Sequence, residues 1–451
     1  MIESVRAALS LPDLRRRIMY TLGFLMIYRL VANIPVPGVD LDAWVQLTNQ
    51  PASNGIIAFL DLLSGGAVSN FSVMAMGVYP YITASIIIQL LTPIVPTLEE
   101  WASEGESGRN RINRITYYLT VPLAFLQAIS QINLVAAFGG GSVQALLPNF
   151  WRPGASAADL LPTLATLMAM VGGTMFAIWL GELITEKGIG QGISLIIFGG
   201  IVSAVPQNLA GVFALPDTQA RFFTTTAFIL LTVLTVFVIV VVQEGQRRIP
   251  VQYGRRVRGR KVYQGQSTYV PLKVNAAGMI PIIFAQSLMA FPGILAGLFL
   301  NYENFIGTAA NWVYENFGQA EGFLYWTVYF FLVVGFTFFY TDVIVRQQNL
   351  TQTLQRQGGF IPGIRPGKRT EDYIMAVVRR ITFVGAVFLG IVSILPGIMQ
   401  GIGVLAQIDG IEQSALVISG SGLIIVVGVV IDTMRQLESQ LLMRNYEGFI
   451  K

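Results

Sequence analysis

Ten apolar runs, each near the length of a membrane-crossing helix and separated by polar loops, constrain this chain more than any other feature. A bilayer hydrocarbon core of about 30 Å takes roughly 20 mostly apolar helical residues to cross. The runs have cores at Ile18 to Ile34, Val73 to Val95, Ile115 to Phe138, Leu160 to Leu183, Gly192 to Phe213, Phe222 to Val242, Asn275 to Leu300, Phe323 to Ile344, Ile381 to Met399 and Leu416 to Met434. They are continuous rather than alternating with a period of two, which excludes a closed transmembrane barrel. With 53% hydrophobic and 12% charged residues, the fold class is an all-α polytopic membrane protein.

Arg15, Arg16 and Arg17 before the first run imitate a secretory signal, but NIPVPGVD after it offers no small-residue cleavage site, so the first helix is expected to be retained. The chain has no Cys and no His. That composition removes disulfides, thiolate or imidazole metal sites, and every pairing of a nucleophile with a histidine base. Catalytic residues, metal ligands and cofactors are therefore not expected.

Lys and Arg mark the cytoplasmic side of short loops. Of 29 such residues, Arg152 and Arg221 fall in loops on one side, Arg29 lies inside the first span within reach of its outer end, and all the rest share the other side. Both termini are thus expected in the cytoplasm, on the face that meets anionic lipid headgroups. Two loops on that face are long. The one at about 244–273 holds Arg247, Arg248, Arg255, Arg256, Arg258, Arg260 and Lys261, and VQYGRRVRGRKVY predicts a short β-hairpin turning near Arg258 and Gly259. The one at about 346–380 contains GGFIPGIRPGKRTEDY, whose Gly and Pro spacing predicts turns rather than helix. Positive-inside anchoring accounts for their charge, whereas their length and turn chemistry favour a docking surface for a large acidic or RNA-containing partner.

The segment from Val36 to Ser72, on the outer side, carries Asp40, Asp42 and Asp61 but no Lys or Arg. Within it GIIAFLDLLSGGAVSNF is apolar yet too short to span, which leaves a re-entrant or interfacial element. Gly65 and Gly66 would let it hinge as a cap over a cavity; a packed surface helix is the alternative. Internal symmetry adds a motif. Gly77, Pro80, Ile82 and Ala84 in the second run match Gly278, Pro281, Ile283 and Ala285 in the seventh, both reading G-x-x-P-x-I-x-A at an offset of 201 residues (77 to 278). With ten runs this fits five plus five, and because five is odd the halves would be inverted. The halves are expected at 1–213 and 214–451. Chance matching is the rival in so Gly- and Ile-rich a chain.

Taken alone, these features also fit a secondary transporter or an intramembrane enzyme. A transporter of this symmetry buries ionisable groups near the bilayer midplane, whereas Glu182, Asp342 and Asp432 fall near the cytoplasmic ends of their runs. An enzyme needs a catalytic constellation, and no pair of mid-run acids supplies one.

Longer segments narrow the choice. They are NIPVPGVD, MGVYPYITASIIIQLLTPIVPTLEE, EGESGRNR, GTMFAIWLGELITEKGIGQGISLIIFGGIV, GQRRIPVQY, QSTYVPLKVNAAGMIPIIFA and FIPGIRPGKRTEDYI, with the tail SQLLMRNYEGFIK. Through them the chain resembles the SecY family, the central channel subunit of the bacterial Sec protein translocon, over essentially its whole length. The resemblance implies two inverted five-helix halves around a central pore in the plasma membrane, sealed by a short plug helix and a ring of apolar side chains. Polypeptides cross the pore, and signal sequences or membrane helices leave sideways through a lateral gate.

Carried over by motif, the ring falls on Ile82 and Ile86, Ile193 and Ile197, Ile283, and Ile425. The plug falls near 59–72, with Phe59, Leu60, Leu62, Leu63, Gly65 and Gly66. The gate is implied between the second and third spans and the seventh and eighth, with Thr83, Gln127 and Asn275 as polar contacts. The family also implies partner docking by the two basic loops. Arg260 and Arg365 resemble positions that engage the SecA motor ATPase or the ribosome, and Arg255, Arg256, Lys261, Lys368 and Arg369 flank them. Lys261 stands where Arg is also common, and an ammonium there loses the bidentate option. SecE and SecG are the implied small membrane partners, and signal peptides and nascent chains the implied cargo. No G-x-x-x-x-G-K-[ST] loop occurs in the chain, so the energy for transport is expected from a partner.

Overall fold

The structure, a computed structural model, describes residues 11–40, 42–44, 64, 67–68, 70–138, 147–148, 150, 160–213, 218–253, 256–258, 261–263, 267–297, 299, 305–318, 322–347, 350–398 and 420–447. Its helices in the first half are α1 (Pro12–Val31), α2 (Tyr79–Leu91), α3 (Pro96–Ser103), α4 (Glu106–Phe138), α5 (Leu160–Lys187) and α6 (Gly192–Phe213). The second half opens with α7 (Thr218–Glu244) and the strands β1 (Gln246–Tyr253), β2 (Arg256–Arg258), β3 (Lys261–Tyr263) and β4 (Ser267–Lys273). It continues through α8 (Ile280–Gly297), α9 (Phe305–Val313), α10 (Phe323–Gln347), α11 (Leu350–Arg356), β5 (Gly359–Phe360), α12 (Lys368–Ser393) and α13 (Gly420–Glu447).

The repeated G-x-x-P motif has the same local structure in both halves. Gly77 and Gly278 adopt positive φ values of 51° and 66°, a region open to glycine because it lacks Cβ. A helix begins two residues later in each case, at Tyr79 and at Ile280. Pro80 and Pro281 therefore sit in the first turn, where a missing N–H leaves no bond unmade. Ile82 and Ile283 occupy the same step of two equivalently started helices.

Several runs become helices of unexpected extent. Among the described residues four helices are long and apolar enough to cross a membrane, Glu106–Asn133, Leu160–Lys187, the one that begins at Phe323 and Lys368–Ser393, or five if the pair α2 and α3 counts as one broken span. That pair is bent by 103°, with Pro93 in the break and Pro96 at the first position of α3. The second run thus holds only 13 helical residues in α2, because residues 73–78 form turns before Gly77 releases the chain into helix. α1 carries Arg15, Arg16, Arg17 and Arg29 within its 20 residues, which is why it is less apolar than the others.

One expectation is corrected. KRTEDY, read as part of a turn segment, is the first two turns of α12. Gly367 at φ 111° turns the chain, its carbonyl accepts the Thr370 and Glu371 amides, and Glu371 complements the positive end of the helix. The hairpin expected to turn near Arg258 and Gly259 is present, with Arg258 paired to Lys261 across the two intervening residues.

The two basic loops form one body. β1 pairs antiparallel with β4 from Gln246↔Lys273 to Gln252↔Ser267, and on its other edge with β5 through Gln252↔Phe360 and Tyr253↔Gly359. Beneath this sheet Ile249, Val251 and Leu272 bury against Val345, Leu354, Ile361, Ile374, Val377 and Val378. A separate apolar core thus joins the sheet to the adjoining ends of α10 and α12.

Candidate functional site

The six isoleucines come from four helices, two in each half: Ile82 and Ile86 on α2, Ile193 and Ile197 on α6, Ile283 on α8, and Ile425 on α13. Ile82, Ile86, Ile197, Ile283 and Ile425 are buried in a single apolar cluster, and Ile193 packs half-buried against it. Spacing of four puts each same-helix pair on one face. Ile193 is set by close helix contact: a Cβ on Gly181 of α5 would lie 3.0 Å from its Cγ1. Ile425 is fully buried, and three residues later Gly428 brings α13 against Gln243 of α7 and Met279.

The expected plug residues Phe59, Leu60, Leu62, Leu63, Gly65 and Gly66 lie outside the described residues. Their neighbours do not. Ser64 is buried and its carbonyl accepts the Tyr28 hydroxyl of α1, while Ala67 belongs to the cluster that holds the isoleucines.

The halves meet where α8 packs on α2 and α4, and where α6 packs on α13. On the first seam the Gln127 amide of α4 donates to Thr83 Oγ1 of α2 at 3.4 Å, and the Thr83 hydroxyl donates to the Tyr79 carbonyl at 3.1 Å. The Tyr79 hydroxyl then crosses to α8, donating to the Ser287 carbonyl at 2.9 Å. Thr83 and Gln127 are therefore together. Asn275 takes a different place, its side-chain amide donating to the Gly278 carbonyl at 2.9 Å, across the turn that starts α8. Tyr79 and Ser287 were not found from sequence; the available signal was a tyrosine in a buried apolar helix, whose hydroxyl needs a partner.

Arg365, Lys368 and Arg369 are exposed on the second basic loop and the first turn of α12. The Arg365 carbonyl accepts the Thr370 hydroxyl at 2.9 Å, which fixes the Arg365 turn against the helix start. Arg256 and Lys261 lie on β2 and β3, and Arg255 and Arg260 lie outside the described residues. At the base of the sheet a charged group gathers, missed by sequence reasoning because its members are far apart in the chain. Arg435 of α13 bridges Glu244 at 2.7 Å and reaches Asp432 at 4.0 Å. Desolvation and the nearby Arg435 draw the Lys273 ammonium below the usual lysine range, while Asp432 and Glu244 draw it back. Beside it the Gly190 amide donates to Gln436 Oε1 at 2.7 Å and the Ile189 amide to Thr21 Oγ1 at 3.0 Å, so one short loop ties α13 to α1.

The model of the SecY family matches residues 72–434. A protein translocase subunit SecY of Halalkalibacterium halodurans is 42% identical over the full length of both chains. That of Thermotoga maritima is 40% identical, over 100% of this chain and 98% of the relative. Among solved structures a protein-conducting channel matches with a TM-score of 0.60 at 16% identity, covering 94% of this chain and 92% of that one. Sec61 in the canine ribosome-channel complex matches with a TM-score of 0.58 at 16% identity, with the same coverage. The ordered motifs, the two halves meeting at paired seams and these full-length similarities agree, and the chain belongs to the SecY family of multi-pass protein translocase subunits.

Proposed function

We propose that Ile82, Ile86, Ile193, Ile197, Ile283 and Ile425 form the constriction through which this translocase subunit passes unfolded polypeptide. The observation that carries the reading is their convergence in one apolar cluster drawn from both halves, 1–213 and 214–451. Branched apolar side chains offer an ion no replacement for its water, so a narrow ring of them opposes leakage by dehydration. They also make no hydrogen bonds to a passing chain, and the seal is indifferent to its sequence.

The seam of α2 and α4 against α8 is the proposed lateral gate, with Thr83 and Gln127 in its polar relay and Asn275 at the turn that joins the basic sheet to α8. Residues 59–72 are the proposed plug. The fused sheet, with Arg255, Arg256, Arg260, Lys261, Arg365, Lys368 and Arg369, is the proposed docking surface for a SecA-type motor or the ribosome. One of the solved relatives is a ribosome-channel complex, which supports the ribosomal part of that reading. The strongly one-sided Lys and Arg distribution supports cytoplasmic termini and contact with anionic lipids of a bacterial plasma membrane. SecE and SecG are the proposed membrane partners, and signal peptides and nascent chains the cargo.

The absence of cysteine from the chain makes the pore testable. Single cysteines at Ile82, Ile283 and Ile425 are expected to crosslink to a cysteine-bearing substrate stalled in transit, whereas one at Phe331, which is 65% exposed on α10, is not. Crosslinking at Phe331 alone overturns the assignment. For docking, Arg365→Glu is expected to abolish SecA-driven transport into reconstituted vesicles without altering folding; unchanged transport removes that role.

A further inference from the structure

α9 lies between the apolar helices α8 and α10, at the opposite end of both from the basic sheet, and its sequence FIGTAANWV has two apolar faces. At about 100° per residue, Gly307, Ala310 and Tyr314 share one face, and all are buried. α9 packs there on α8, and the chain continues into a π-helix at Tyr314–Gly318 that also packs on α8. Phe305, Ala309 and Trp312 share the opposite face, where Phe305 is 87% and Trp312 56% exposed. The Trp312 ring is held by an edge contact with Phe317, centroids 6.2 Å apart. Asn311 and Glu315, also exposed, lie to one side of that stripe.

We infer that the Phe305–Ala309–Trp312 face of α9 is a lipid-binding surface, immersed at the boundary between headgroups and acyl chains of the leaflet opposite the basic sheet. Three observations select lipid as the occupant. The first residues of the next span in sequence are exposed and apolar as well, Phe323 at 87% and Leu324 at 42%. Its residues are the aromatic types that favour the membrane interface, on a short helix whose other side is polar or packed on protein. Finally, residues 301–322 hold Glu303, Glu315 and Glu321 and no Lys or Arg, so the surface has no cationic attraction to anionic headgroups and suits neutral, zwitterionic lipid. Because α8 carries Ile283, this contact would fix the depth at which one helix of the proposed ring sits.

The test places a nitroxide on single cysteines substituted for Phe305, Asn311, Trp312 or Glu315 in the reconstituted full-length chain, in vesicles of phosphatidylcholine with and without phosphatidylglycerol. At 305 and 312 collisions with dissolved oxygen are expected to exceed those with a water-soluble nickel chelate, and the ratio is expected to invert at 311 and 315. The pattern is expected to be the same in both lipid mixtures. Dominance of the nickel chelate at all four positions overturns the proposal. So does shielding of 305 and 312 from both reagents, which signifies a protein partner. In a variant whose other five tryptophans are replaced by phenylalanine, quenching of the Trp312 fluorescence by lipids brominated along the acyl chain provides a readout that needs no label at the site; absence of quenching overturns the proposal.

Discussion

Tyr79 of α2 donates its hydroxyl to the backbone carbonyl of Ser287 in α8, 2.9 Å away and 208 residues along the chain. This hydrogen bond joins the two halves across the proposed gate, and the Thr83 and Gln127 relay leads up to it. A side-chain hydrogen bond between membrane helices is worth about 1 kcal/mol, enough to bias a seam and weak enough for an apolar signal helix to displace. Tyr79→Phe keeps the ring and removes only the donor. It is expected to shift the gate toward opening by roughly fivefold, read as faster vesicle import of a substrate whose signal sequence has been weakened. Substrates with strong signals should be unaffected, and an unchanged or slower rate for the weak one assigns the bond to static packing.

Gly359 controls whether the two basic loops act as one. A Cβ there would lie 3.0 Å from Cε1 of Tyr253 and 3.2 Å from Cγ1 of Val251, because β5 packs directly on those β1 side chains. Gly359→Ala asks the Tyr253 ring to give by a few tenths of an ångström, whereas Gly359→Val adds branches with nowhere to go. The valine variant is expected to part β5 from β1, seen as faster hydrogen exchange of the one amide of the Gln252–Tyr253 pair that faces β5. Binding to the motor partner should fall in parallel while the helical circular dichroism signal holds. Intact protection with valine in place would show that the sheet edge adapts.

Much of this architecture was legible because its signals are local or repeated. The repeated G-x-x-P motif was visible in the sequence, although the helix starts at Tyr79 and Ile280 came only from the structure, and the hairpin turn was expected near Arg258 and Gly259, where Arg258 pairs with Lys261. The isoleucine set was legible only through family motifs, since isoleucine in a membrane helix is ordinarily packing. What escaped depends on partners distant in sequence. Ser287 acts through its carbonyl, which no side-chain pattern reports, and β5 is a two-residue strand defined by the edge it joins. The α12 start was misjudged because Gly and Pro in FIPGIRPGK mark the turn before a helix as readily as a turn alone.

The bridge between Arg435 and Glu244 connects the base of the basic sheet to α13, ten residues beyond Ile425. Both side chains are partly exposed, so the pair contributes at most about 1 kcal/mol, and its worth is expected in coupling rather than in stability. Glu244→Arg sets like charges against each other beside Lys273. Motor-driven transport is expected to fall by up to roughly fivefold, the factor corresponding to about 1 kcal/mol, with thermal stability nearly unchanged. Adding Arg435→Glu restores opposite charge and should recover transport. Failure of the double reversal to recover it would leave the effect to Glu244 alone.

Gly278 isolates the cost of backbone conformation at the start of α8. Its φ is 66° and no heavy atom lies within 4 Å of where a Cβ would stand, so substitution meets conformational strain without a clash. Gly278→Ala is expected to destabilise by about 1–2 kcal/mol, the penalty of the left-handed region for an L-residue. Asparagine tolerates that region better, and Gly278→Asn should lose less despite its larger side chain. Thermal unfolding of the purified chain in detergent measures both, with the order Gly, Asn, Ala expected for the midpoints. If alanine equalled glycine, the turn would be free to change its φ, and the hydrogen bond from Asn275 to the Gly278 carbonyl would be lost with it.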